Sequence, residues 1–186
     1  MGSVMDKQRF GNALRIAWSA HSGQKRKYNS RPYIEHPMRV ALTLARIGAS
    51  DDACLAGLLH DVAEDAEEPL RSHVFQEIAT NVGTDIAVMV YWLTNIRRVG
   101  SRPERKAADI ARLASAPSDV RIVKAVDRAD NVREAKETSD GFSFYSETYR
   151  RESMLLLDAL FPQVWTPEED KAYKLLASAL EIPGAR

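Results

Sequence analysis

The sequence predicts an all-α fold, and three observations carry that expectation. Helix punctuation recurs along the whole chain, with Ser101-Arg102-Pro103-Glu104 and Thr166-Pro167-Glu168-Glu169 both setting a hydroxyl three residues ahead of a glutamate, the spacing of a capping box. Apolar residues return every three or four positions, as in Val40, Leu44 and Ile47, which puts them on one helical face. Alternating apolar and polar runs bounded by turn residues, the mark of strands, are hard to find.

The first helix is expected from about Lys7 to His21, with Phe10, Leu14, Ala17 and Trp18 as its apolar face, ending at Ser22-Gly23. A basic loop, Gln24 to Arg31, follows. Pro37 suits the first turn of the second helix, where a missing N–H costs nothing. That places His36 at a helix entrance, and the core stripe then runs to Gly48. Asp51 is expected to cap a third helix that carries His60-Asp61-Val62-Ala63-Glu64-Asp65 and stops before Pro69. Further helices are expected over roughly Arg71 to Val82 and Asp85 to Ile96, then one opening at Ser101 after a loop with Arg97, Arg98 and Arg102. A long helix from about Asp119 to Glu137 uses Ile122, Val123 and Val126 as its stripe, which sets Asp127 near the buried edge. After a turn at Ser139-Asp140-Gly141, helical periodicity resumes from Tyr145 to Leu160, and a terminal helix covers 167–181.

A chain of 186 residues, 45% hydrophobic, suits one domain spanning 1–186. Lys plus Arg equals Asp plus Glu at 26 each, which removes the broad basic field of a non-specific nucleic-acid binder. The lone Cys54 lies in an apolar run and reads as a buried thiol, in keeping with a cytoplasmic protein. No membrane-length apolar stretch or signal-peptide core is present, so no membrane partner is expected. An oligomer is compatible with the sequence, and no glycine-rich phosphate loop appears.

The segment His60 to Asp65 packs one imidazole and three carboxylates into six residues directly after Cys54-Leu55-Ala56-Gly57-Leu58-Leu59. If the helix continues, His60 stacks with Glu64 and Asp61 with Asp65, beside a buried stripe of Leu55, Leu58 and Val62. Carboxylates so close repel one another and lose solvation unless a cation compensates. His36, His60, Asp61 and Asp127 supply two imidazoles and two carboxylates, a mixed N/O set for one divalent ion. Glu64 and Asp65, one turn on, are the candidates to orient an attacking water and move its proton. Arg26 and Lys27 could pair with phosphate oxygens. Asn131 could donate to a sugar hydroxyl or satisfy local backbone, and Tyr149 could close a pocket or simply pack. His21 and His73 are read as surface or helix-end residues.

Arg26-Lys27, Pro32-Tyr33-Ile34-Glu35-His36-Pro37, Leu58 to Asp65 and Val123 to Asn131 together resemble the HD-domain hydrolases of the RelA/SpoT family, over about residues 8 to 160. The likeness is to the stand-alone small alarmone hydrolases, since there is no room for a synthetase domain. The resemblance implies a single helical HD-domain bundle, one Mn2+ held by His36, His60, Asp61 and Asp127, and catalysis by Glu64 and Asp65. It further implies Arg26, Lys27, Asn131 and Tyr149 at the nucleotide, and removal of the 3′-pyrophosphate from ppGpp or pppGpp. Arg105 and Lys106 match a further basic pair of the family. Two features depart from its pattern: Asp130 just before Asn131, and the loop from Leu93 to Gly100. These keep open a phosphatase acting on another nucleotide, or a silent nucleotide-binding module.

Overall fold

The computed structural model describes residues 6–27, 29–64, 66–95, 100–137, 145–163 and 166–183. Nine helices occur among them: α1 Lys7–Ala20, α2 Glu35–Ile47, α3 Asp51–Leu59, α4 Leu70–Asn81, α5 Thr84–Leu93, α6 Arg102–Ala114, α7 Ser118–Glu137, α8 Glu147–Leu160 and α9 Pro167–Ala179. The β-structure in the described residues is one isolated bridge between Lys25 and Pro32. The all-α expectation therefore holds. No described helix is long and apolar enough to cross a membrane.

The chain divides into two compact units. One comprises residues 1–25 and 31–94, the other 26–30 and 95–186. In the first, α3 is the central element, with Ala53 through Leu59 all buried, and it packs on α2, α5 and α1. Gly57 lets α2 approach closely, because a Cβ there would collide with the Leu44 side chain and press on Val40 Cγ1 at 3.3 Å. A mid-helix glycine costs about 1 kcal/mol against alanine, so close packing is what the position gains. In the second unit α7 packs against α9, α8 and α6, with Val123, Val126, Leu157, Leu160 and Leu176 in its core.

Local chemistry sets the helix ends. Both expected capping boxes form, at Ser101 with Glu104 and at Thr166 with Glu169. Gly48 closes α2 in the left-handed region at φ 84°. Three details differ from expectation. Ser50, rather than Asp51, caps α3, accepting from the Ala53 N–H at 3.0 Å. The α1 core face is Ala13, Ile16 and Ala17, while Phe10 and Trp18 are 41% and 61% exposed. Most consequentially, α3 ends at Leu59, and His60 to Glu64 form turns. The expected turn at Ser139-Asp140-Gly141 and the residues Arg97 and Arg98 lie outside the described residues.

Candidate metal centre

His60 is the residue that stops α3. Its Nδ1 lies 2.8 Å from the Gly57 carbonyl, three residues back, and so meets one of the carbonyls that a helix C-terminus leaves unsatisfied. The expected pairing of His60 with Glu64 on one helical face is thereby replaced by tighter geometry, and the expected pair of Asp61 with Asp65 lies outside the described residues. His60 Nε2 and Asp61 Oδ2 are 3.0 Å apart, and His36 Nε2, from the first turn of α2, is 3.8 Å from the same oxygen. The two imidazole rings cross at 74° with centroids 5.1 Å apart, and His36 and His60 are 0% and 2% exposed. The Tyr33 hydroxyl donates to Asp61 Oδ2 at 2.7 Å.

The donor set fits a cation. A carbonyl only accepts, so His60 Nδ1 carries a proton, and in the neutral ring Nε2 then presents its lone pair to the Asp61 carboxylate. Two lone-pair-bearing atoms at 3.0 Å repel unless a proton or a metal ion stands with them. An acceptor on the far ring nitrogen that fixes the tautomer is the usual arrangement around a ligating histidine. These residues thus form a His/Asp site able to hold a metal.

A cleft of about 370 Å3 opens beside it, lined by His21, Gln24, Tyr33, Asp61, Glu64 and His73 among others. Glu64 is half-buried there, while Asp65 lies outside the described residues. His21, read from sequence as a surface or helix-end residue, does end α1 but is buried at 6% exposure. It stacks on Tyr33 with centroids 4.7 Å apart and faces Gln24 Oε1 through Nδ1 at 2.9 Å. Burial, partly opposed by that Gln24 bond, holds its pKa below the ordinary histidine value.

In the second unit, Lys124, Asp127, Asn131 and Glu134 share one face of α7 at spacings of three and four. Asp127 is 4% exposed. Its Oδ2 accepts from Lys124 Nζ at 2.7 Å and its Oδ1 from Asn131 Nδ2 at 2.6 Å. Asn131 Oδ1 in turn accepts from Arg26 Nη2 at 2.6 Å. Arg26, expected at a phosphate, is buried at 6% exposure and donates to Glu134 Oε2 through Nε at 2.7 Å and through Nη2. Lys27 is exposed. Tyr149 is half-buried, with the Arg128 guanidinium 4.9 Å above its ring, and burial raises its hydroxyl pKa. Lys106, Lys124 and Arg128 line a small cavity of about 30 Å3 with Glu152. Arg102 pairs with that Glu152 at 3.0 Å, and Arg105 donates to the Gly100 carbonyl.

Tyr33, Lys124 and Glu134 went unassigned in the sequence. The α7 residues carried a legible signal, polar side chains at a three-four-three spacing beside an apolar stripe. The Tyr33 contact to Asp61 joins residues 28 apart, and no local pattern announces it.

A helical fold that gathers two buried imidazoles and a carboxylate in this way is of a class able to hold a metal ion. The chain belongs to the HD domain family, whose model matches residues 13–156. It is 33% identical over 123 residues to the guanosine-3′,5′-bis(diphosphate) 3′-pyrophosphohydrolase of Aquifex aeolicus, a match covering 65% of this chain and 17% of that protein. It is 30% identical over 131 residues to the protein of the same name from Escherichia coli O157:H7, covering 68% of this chain and 18% of that one. The chain thus spans about a sixth of the length of these curated relatives. Among solved structures it resembles one described as a metazoan ortholog of SpoT that hydrolyzes ppGpp, with TM-score 0.77, 21% identity and coverage of 99% and 100% of the two chains. A Listeria monocytogenes EGD-e protein is similar at TM-score 0.64 and 24% identity, covering 81% and 96%. These structural likenesses concern the fold.

Proposed function

We propose that the chain is a metal-dependent (p)ppGpp 3′-pyrophosphohydrolase, releasing GDP and pyrophosphate from ppGpp. The observation that carries this reading is the cluster of His36, His60 and Asp61, with its carboxylate held by Tyr33. The likeness to two pyrophosphohydrolases supports the choice of substrate. In this reading His36, His60, Asp61 and Asp127 hold one Mn2+, which when bound offsets phosphate charge and acidifies water. A single buried Cys54 agrees with a cytoplasmic setting.

The chain's own residues do the rest. Glu64, half-buried beside Asp61 on the cleft, accepts the proton of the water that attacks the 3′-linked phosphorus. The bond from that phosphorus to the ribose 3′ oxygen breaks, and Asp65 serves the departing oxygen. Lys27 and Tyr149 meet the nucleotide, the first as an exposed cation near phosphate and the second as a ring surface for the base. Clustered phosphates need such offsetting charge during phosphoryl transfer.

The test is a Mn2+-supplemented assay across ppGpp, pppGpp and ordinary nucleotides with product analysis. GDP and pyrophosphate are expected from ppGpp. Asp61→Ala should lose both metal and turnover, whereas Glu64→Ala should keep metal and lose turnover by 100-fold or more, on the order of what a positioned general base contributes. Parental rates in both variants would overturn the assignment, and turnover confined to another nucleotide would reassign the substrate.

A further inference from the structure

Residues 26–30 belong to the second unit although the chain on either side of them belongs to the first. Side chains pin this short loop onto α7. Arg26 donates to Glu134 and to Asn131, and Asn29 Nδ2 donates to Glu134 Oε1 at 3.0 Å. Arg26 and Glu134 are 6% and 7% exposed, so the guanidinium sits beneath the surface against its counter-ion. An arginine placed to receive phosphate would instead present its fork outward, as the exposed Lys27 next to it presents its ammonium group.

The bond from Arg26 to Asn131 has a directional consequence. A guanidinium only donates, so the Asn131 amide must turn its oxygen to Arg26 and its NH2 the other way. That NH2 meets Asp127 Oδ1 at 2.6 Å, while Lys124 Nζ holds Oδ2 at 2.7 Å. With the amide flipped, two donors would face each other at Arg26 and two acceptors at Asp127. Arg26 therefore decides which way Asn131 points, and Asn131 fixes the plane of the carboxylate.

We propose that Arg26 is a positioning residue, acting through Asn131 to hold the Asp127 carboxylate in its ligating orientation. This rests on the reading of Asp127 as a metal ligand. Arginine is required because one planar fork reaches both Glu134 and Asn131, which a lysine point charge cannot do. Outer partners that orient a ligand typically change metal affinity 10- to 100-fold when removed.

The experiment uses the full chain and reads two quantities: Mn2+ affinity without nucleotide, by electron paramagnetic resonance titration, and kcat and KM for ppGpp at saturating Mn2+. The variants are Arg26→Lys, the double variant Arg26→Met with Glu134→Met, and Asn131→Leu. The double variant removes both buried charges together, and Asn131→Leu cuts the same link with the ion pair intact. All three are expected to weaken Mn2+ binding by about 10- to 100-fold, and the two Arg26 variants to keep KM at saturating metal within about two-fold of the parent. A KM raised ten-fold or more with Mn2+ affinity intact would overturn the proposal and make Arg26 a substrate contact. So would parental values of both quantities. Asp127→Ala separates the two layers. If it loses Mn2+ while the other variants retain it, positioning falls and the ligand reading stands. If it also binds Mn2+ like the parent, both fall.

Discussion

His21 shows how a single buried side chain ties stability to pH. Its ring is packed on Tyr33, and burial depresses its folded pKa below the ordinary value of 6.5. As pH falls through about 6.5, the unfolded chain takes up a proton that the native state refuses. Its contribution is thus fully present above that value and is lost as pH drops toward the folded pKa. The loss is at most about 1.4 kcal/mol per pH unit in this window. His21→Gln should flatten the acid side of the stability profile between pH 7 and 5.5, measured as denaturant midpoints at each pH. The slope is the readout, because the substitution also alters packing against Tyr33. An unchanged slope would mean that another group carries the acid sensitivity.

At the scale of elements, the approach of α2 to α3 depends on Gly57 and, through it, on the placement of His36 and His60. Gly57→Ala forces a methyl into Leu44 and toward Val40, and overpacking of this kind costs about 1–3 kcal/mol. Leu44, fully buried, should cost about 2–5 kcal/mol when cut to alanine. The added methyl occupies part of the space that Leu44→Ala vacates, so the double variant should be more stable than the summed single losses predict. Chemical denaturation of the four-member cycle measures that coupling, and strict additivity would count against the contact. The elements themselves were legible in the sequence where signals are local: both capping boxes, the Val40, Leu44 and Ile47 stripe, and buried Asp127 on α7. The end of α3 was not legible, because it is set by the His60 ring meeting the Gly57 carbonyl rather than by a glycine or proline. The α1 face was misread for a related reason. Phe10 and Trp18 have more apolar area to bury, yet the small side chains Ala13 and Ala17 are the ones that permit close packing, and both are 0% exposed.

At the scale of the whole chain, neutrality conceals a division of charge. Acidic residues outnumber basic ones in the first unit, and basic residues outnumber acidic ones in the second. In the proposed reading, a divalent cation held by His36, His60 and Asp61 adds to the stability of the folded first unit. The clustering of those three was legible in the sequence by residue type, while Tyr33, which braces Asp61, appears only once the chain is folded. Any ion that binds the native state and not the unfolded chain adds about 2.7 kcal/mol at a free concentration one hundred times its dissociation constant. For a chain of this size 1 kcal/mol moves the melting temperature by about 2–4 °C. Mn2+ at that concentration should therefore raise Tm by roughly 5–10 °C over protein stripped with a chelator. Asp61→Ala should remove the difference, because the two imidazoles alone leave the ion without its negative ligand in this unit. Calorimetric scans of both proteins with and without Mn2+ decide the matter. A parental Tm that ignores the metal would deny it a place in the fold. An Asp61→Ala variant that keeps the full shift would place the ion elsewhere on the chain.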